Sequence, residues 1–242
     1  HDALPIYDAI KDFSFSVHSG EHIALIGVNG SGKSTILKLI MRLYSPSKGK
    51  ILINGQNIQD FNLLEYYSLF STMFQDAQVY SFSIAENIAM SSVIDKEKMR
   101  LCMNLSGLTE VVQKFPAKEE TMLLKIVDDS GVELSGGEVQ KLAFARAIYK
   151  NAPIVLLDEP TAALDAFSER KMFDAIHSFI ENRTSIVVTH KLSSLKDYDK
   201  IIYIEMGELK EIGSHQELLS AQGRYAKLFH KQSDLYEKGV VQ

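Results

Sequence analysis

Gly27-Val28-Asn29-Gly30-Ser31-Gly32-Lys33-Ser34-Thr35 is the stretch that decides how this chain is read. It fits the pattern G-x-x-x-x-G-K-[ST] in full. Ile23–Ile26 before it is a continuous apolar run, the mark of a strand buried on both faces. Ser34–Tyr44 after it has a helical pattern, with Pro46 as the expected stop. In that strand–loop–helix setting the glycines let backbone N–H groups turn inward and approach phosphate oxygens closely. The helix dipole adds positive potential at the same place. Lys33 is placed to reach the β- and γ-phosphates of a nucleotide, and the Ser34 hydroxyl to ligate Mg²⁺. The bland alternative, an ordinary glycine turn, leaves the flanking strand and helix unexplained.

Working outward, Phe13–Val17 alternates apolar and polar residues and predicts a strand, with Ser19-Gly20 turning the chain after it. Ile51–Ile53 and Ile58 flank Asn54-Gly55, a strong hairpin signal, and Ser71–Phe74 is a short strand candidate. Between about Asp76 and Lys150 the pattern changes. Ser83–Met90, Lys96–Ser106 and Leu108–Phe115 read as short helices and Glu138–Lys150 as a longer one, with no convincing strand among them. Residues 76–150 are therefore expected to form a helical subdomain inserted into an α/β body of residues 1–75 and 151–242. The strand pattern resumes at Ile154–Leu157. A helix over Phe167–Asn182 gathers Met172, Phe173, Ile176, Phe179 and Ile180 on one face. Strands at Ile186–Val188 and Ile201–Ile204, a turn at Met206-Gly207-Glu208 and a helical tail from Ser214 complete the pattern. The alternation predicts an α/β fold with a mostly parallel sheet.

Composition sets the outer bounds. The chain has 242 residues, 45% hydrophobic and 24% charged, which excludes disordered and collagen-like classes. A net charge of −5 without a basic run argues against a nucleic-acid partner. The single Cys102 has no internal disulfide partner, which favours a reducing compartment; it sits in an apolar helical stretch as a packing residue. No apolar run approaches the roughly 18 residues of a membrane span. If the protein works at a membrane, another chain or segment supplies the span.

Two further segments carry chemistry. Ile154–Leu157 is a buried strand that ends in Asp158-Glu159-Pro160. Asp158 at the strand end suits Mg²⁺, and Glu159 beside it suits a general base that polarises a water. Leu134-Ser135-Gly136-Gly137-Glu138 opens the long helix as a second glycine-rich helix start, this time without a lysine. Read by itself it is either an anion site or a capped helix after a flexible turn.

Taken together and in order, these segments resemble the nucleotide-binding domain of an ABC transporter. The matching motifs are the Walker A segment Gly27–Thr35, Gln75 after Met73-Phe74, the signature Leu134–Glu138, the Walker B segment Ile154–Glu159, Ala163-Leu164-Asp165, and Thr189-His190. The resemblance covers nearly the whole chain. It implies a P-loop NTPase (RecA-like) core with an N-terminal antiparallel β subdomain and an inserted helical signature subdomain. It also implies ATP and Mg²⁺ as ligands. Two such domains, alike or different, would sandwich ATP head to tail, the Walker A of one facing Ser135, Gly136, Gly137 and Glu138 of the other. Gln75 resembles the glutamine that touches Mg²⁺ and the attacking water and senses the transmembrane partner. Asp165 resembles the aspartate at the dimer interface. His190 resembles the switch histidine that contacts the γ-phosphate and positions the water of Glu159.

Some features depart from the family. Glu138 stands where glutamine is commoner. Val127-Asp128-Asp129-Ser130-Gly131 resembles only loosely the exporter segment that touches transmembrane loops. Tyr7 is the candidate for stacking on adenine, although that aromatic sits further upstream in the family; an ordinary hydrophobic or surface role competes. The other histidines show no metal-ligand spacing.

Three classes compete: the ATPase engine of a transporter, a soluble member acting in DNA repair, chromosome maintenance or translation, and a regulatory nucleotide sensor. The interval from Thr35 to Leu134 carries no sustained heptads, against the DNA-acting type. One acidic cassette is unlike the translation type, and Glu159 with His190 weakens the sensor. Ser81–Ile88 resembles the S-I-x-E-N-I stretch of exporters, as does the tail Gly213–Leu219. The start at His1 fits a cassette placed behind a membrane domain. The expectation is thus export powered at the cytoplasmic face of the membrane, through a transmembrane domain in the same polypeptide or a partner chain. Phe74–Ile88, with Val79, Tyr80, Phe82 and Ile84, is expected to form the groove that receives a membrane-domain helix.

Overall fold

The computed structural model describes residues 9–126, 129 and 131–237, the side chains of residues 192–193 and 233–237 excepted. In chain order the elements are β1 (His22–Gly27), α1 (Lys33–Ile40), β2 (Leu52–Ile53), β3 (Gln56–Asn57), α2 (Leu63–Ser68), β4 (Phe70–Met73), α3 (Ile84–Ala89), α4 (Lys96–Leu105), α5 (Thr109–Val112) and α6 (Gly136–Lys150). They continue with β5 (Ile154–Asp158), α7 (Ala166–Ile180), β6 (Thr184–Val188), β7 (Lys200–Glu205), β8 (Glu208–Gly213), α8 (His215–Ser220) and α9 (Arg224–Glu237). These fall into two compact units, residues 1–68 with 184–242, and residues 69–183.

In the first unit β1 lies between β6 and β7, parallel to both, and β8 adds an antiparallel edge to β7. Ile23, Ala24, Leu25 and Ile26 are fully buried, as an apolar run flanked by strands and covered on both faces must be. Each such Ile or Leu contributes roughly 1.5–3 kcal/mol of burial free energy. The two hairpins come from adjacent left-handed residues, Asn54 (φ 50) with Gly55 (φ 81), and Met206 (φ 50) with Gly207 (φ 77). That pairing matches the twist of antiparallel strands.

Two sequence expectations change here. Phe13–Val17 is not a strand. It keeps its alternation of half-buried and exposed residues, and the Phe13 and Phe15 rings meet edge-on at 5.4 Å, but among the described residues no neighbour gives it a ladder. Helix α1 ends at Ile40, well before Pro46, because Arg42 takes a left-handed φ of 55. Its guanidinium donates to the Phe61 carbonyl at 3.0 Å and lies over the Tyr66 ring, whose hydroxyl donates to the Ile40 carbonyl. Tertiary contacts stop the helix before proline can.

In the second unit β4 and β5 pair in parallel, Phe70 opposite Ile154 and Met73 opposite Leu157. Helix α6 is its centre. Leu142, Phe144 and Ile148 are buried, as are Ile84 and Ile88 of α3 and Met99 of α4, the two helices that pack on it. Among the described residues between β4 and β5 only isolated bridges occur, Ser83 with Met122 and Leu123 with Val132. Helix α7 buries Met172, Ile176, Phe179 and Ile180 of the face the periodicity predicts and leaves Phe173 half-buried. No helix among the described residues is long and apolar enough to cross a membrane.

Candidate functional site

The first unit carries the glycine-rich loop, and its geometry follows from what the helix start lacks. Helix α1 begins after Gly32 in a left-handed conformation (φ 104) and has no side-chain cap. By contrast Ser83, Asp95, Ser135, Asp165 and Ser214 each cap a helix of this chain with their own side chain. The start of α1 thus has no side-chain cap in the place where a helix N-terminus attracts an anion. Lys33 is buried and its Nζ donates to the carbonyls of Gly27 and Val28 at 2.9 and 3.0 Å, so its ammonium sits inside the loop. Ser31 Oγ is buried without a hydrogen-bond partner among the described residues, a polar atom available to a ligand. Val28, Asn29 and Gly30 form the exposed tip, while Ser34 and Thr35 are half-buried on α1.

The loop is also held from outside. The Gly207 N–H donates to the Ser31 carbonyl at 3.1 Å, and the Gly207 carbonyl accepts from the Lys11 N–H at 2.8 Å. This brings Ala9 and Ile10 against Gly32, where a Cβ would lie 2.9 Å from the Ala9 oxygen and 2.5 Å from Ile10 Cδ1. Sequence reasoning assigned nothing to Ala9 or Ile10, because no local pattern marks a segment that folds over a distant loop. Tyr7 lies outside the described residues. His190 is exposed just past β6. The Thr189 N–H donates to Leu25 at 3.2 Å, and Thr189 Oγ1 accepts from the Lys191 N–H at 3.0 Å, which fixes the backbone on both sides of the histidine.

The second unit carries the acids. Asp158 ends β5 and is buried, and Glu159 follows it with a left-handed φ of 49. A glutamate held there costs about 1–2 kcal/mol over a relaxed backbone, and such outliers gather at functional sites. A residue the sequence reading overlooked supports the turn. The side chain of Gln140, buried on α6, accepts from the Ala163 N–H at 3.0 Å and donates to the Glu159 carbonyl at 3.5 Å. Helix α6 therefore fixes the loop that presents Glu159 and Asp165. Asp165 caps α7, accepting from Ser168 and Phe167, and those bonds hold its carboxyl below the ordinary range.

The start of α6 is closed by its own box. Ser135 Oγ accepts from the Glu138 N–H at 3.4 Å and donates to Glu138 Oε2 at 2.9 Å, and the Ser135 N–H donates to the same oxygen at 2.9 Å. Burial alone would raise the Glu138 carboxyl, but the Ser135 bonds and Lys114, 3.6 Å away, together bring it below its ordinary value. Ser135 and Gly136 face outward and Gly137 packs on Ala163 and Leu164. An anion arriving here meets an exposed serine already engaged by a carboxylate.

Gln75 is exposed after β4. Beyond it Tyr80 and Phe82 are exposed, Val79 is half-buried, and Ile84 is buried in the core, so the apolar surface expected of Phe74–Ile88 narrows to two aromatic rings. Arg146 of α6 organises this segment. Its Nε donates to the Asn87 carbonyl at 2.8 Å, both terminal nitrogens donate to the Gln78 carbonyl at 3.2 Å, and it lies over the Tyr80 ring. In the exporter-like stretch before the signature, Val127, Asp128 and Ser130 lie outside the described residues. The oxygen donors of Ser34, Asp158 and Gln75 are of the type a hard cation such as Mg²⁺ requires, and Asp158 is buried. Among the described residues no group of three or more His, Cys, Asp or Glu side chains is gathered to hold a metal ion.

A family profile described as ABC transporter matches residues 10–162. The chain is 40% identical over 226 residues to an ATP-dependent lipid A-core flippase of Methylobacillus flagellatus, covering 93% of this chain and 38% of that protein. It is 40% identical over 219 residues to a protein of the same name from Paraburkholderia xenovorans, covering 90% and 36%. A bacterial Atm1-family ABC exporter solved with ATP bound superposes with a TM-score of 0.84 at 33% identity, covering 93% of this chain and 39% of that one. The chain thus spans less than two-fifths of the length of these relatives.

Proposed function

The chain belongs to the ABC transporter family, and on that premise we propose that it is the Mg²⁺-dependent ATPase that powers export of a substrate across a membrane. The transmembrane domain lies in the same polypeptide or in a partner chain, and the cassette works at the cytoplasmic face. Two cassettes, identical or different, act as a head-to-tail pair. The relatives' names make a lipid the first cargo to test. No nucleic acid takes part.

Each residue has a stated task. The N–H groups of Gly27, Asn29, Gly30, Ser31 and Gly32, the uncapped start of α1 with Thr35, and Lys33 bind the triphosphate. Lys33 exchanges its two loop carbonyls for phosphate oxygens, a charge-assisted replacement. Ser34, Asp158 and Gln75 would hold Mg²⁺, which when bound draws negative charge off the phosphate oxygens. Glu159 takes the proton of the attacking water as general base. His190 contacts the γ-phosphate and keeps that water in line. Ser135, Gly136, Gly137 and Glu138 of one cassette reach the nucleotide of the other, and Asp165 lines the contact between them. Tyr80 and Phe82 receive the membrane-domain helix.

The observation that carries this reading is the uncapped α1 start with a buried lysine folded into the loop before it. The test is Glu159→Gln, which keeps shape and removes basicity. ATP binding should persist while turnover drops about 10²–10⁴-fold. Turnover near the wild-type rate would refute the assignment.

A further inference from the structure

Helix α9 meets the loop that carries His190. Its start is clamped to β8, where the Glu211 carboxylate accepts from the N–H groups of Arg224 at 2.5 Å and Tyr225 at 3.0 Å. Tyr225 is fully buried and its hydroxyl pairs with His215 Nδ1 at 2.5 Å. Phe229, one turn on, sets its ring 5.1 Å from that of His215. Residues at i, i+4 and i+7 share one helix face, so the next inward position after Tyr225 and Phe229 is Gln232. Its Nε2 donates to the His190 carbonyl at 3.1 Å.

The loop is tied on the carbonyl side as well, where Ser194 Oγ donates to the Lys191 carbonyl at 3.2 Å. The backbone N–H groups of Thr189 and Lys191 are both engaged, by Leu25 and by Thr189 Oγ1. The Gln232 amide holds the peptide carbonyl of His190 itself. Holding that carbonyl restrains displacement of the His190 Cα, and the imidazole moves with the Cα from which it leaves.

We propose that Gln232 is a positioning residue for His190, so that α9 acts as a strut fixing the γ-phosphate switch. The proposal rests on the role given to His190 above. Its test uses the full chain with Gln232→Glu, which keeps size and loses the donor, and Gln232→Leu as a second variant. Hydrogen exchange at the Lys191 amide, which reports the loop directly, should speed up about threefold to tenfold, the worth of one neutral hydrogen bond. Exchange at Tyr225–Phe229 should stay as in the wild type, which shows that α9 is still docked. Turnover should fall by a similar factor with KM for ATP unchanged, and Gln232→Glu should add nothing on a His190→Ala background. Unchanged Lys191 exchange with α9 docked, or loss of docking in both variants, overturns the strut. Faster exchange with undiminished turnover, while His190→Ala is inactive, overturns the positioning role. If His190→Ala itself keeps full turnover, the role assigned to His190 fails together with the catalytic half of this inference, and the Lys191 exchange decides whether the strut stands.

Discussion

Gly27→Ala should be far more damaging than Gly30→Ala, although both sit in the same loop at positive φ, 149 and 76. An added Cβ at Gly30 meets nothing within 4 Å. Its cost is conformational alone, about 1–2 kcal/mol for a left-handed L-residue. At Gly27 the Cβ would overlap the backbone oxygen of Ile204 on β7, stand 3.1 Å from the Ile204 carbonyl carbon and 2.9 Å from Ser31 Oγ. Neither the β7 backbone nor the loop can give way without breaking the β1–β7 pairing, which joins Gly27 to Ile204. Overpacking of this kind adds about 1–3 kcal/mol, so Gly27→Ala should lose about 2–5 kcal/mol in all. Urea unfolding, fitted with a common slope for both variants, measures the difference. Equal midpoints for the two variants would refute the argument that the close approach of β7, rather than loop conformation, requires glycine at residue 27.

Two further outcomes follow from side chains of α6. Arg146→Lys keeps the charge but not the fork that reaches the Asn87 and Gln78 carbonyls; it should cost about 1–3 kcal/mol in urea unfolding and loosen the segment around Tyr80, read as faster exchange there. A loss within the scatter of surface substitutions would show that the fork is not what holds that segment. Glu138 has its folded carboxyl below the ordinary value of 4.5, so its contribution is complete above that pH and is lost as pH falls below it. The stability advantage of the wild type over Glu138→Gln should accordingly be flat at neutral pH and shrink on acidification; an advantage that grows in acid would contradict the Ser135 and Lys114 interactions.

Much of the molecule was readable from residues near one another in sequence. The apolar run Ile23–Ile26, the glycines of the loop, Asn54-Gly55, Met206-Gly207 and the periodicity of α6 and α7 each state a local conformation, because strand burial, left-handed turns and helix faces are set within a few residues. The loop lysine and the paired acids at the end of β5 are likewise local patterns with a chemical meaning. What the sequence could not show is which distant groups meet. Phe13–Val17 has the alternation of a strand and, among the described residues, no ladder, since pairing needs a neighbour that alternation does not supply. Arg42 ends α1 through Phe61 and Tyr66, not through the proline ahead. Ile84 is core while Tyr80 and Phe82 are surface, a division set by the packing of α3 on α6. Gln140, Arg146 and Gln232 look like ordinary polar helix residues until the fold sets each against a backbone carbonyl or N–H far along the chain. Hydrogen-bonding partners for exposed loops come from wherever the chain returns, and only the tertiary structure fixes that return.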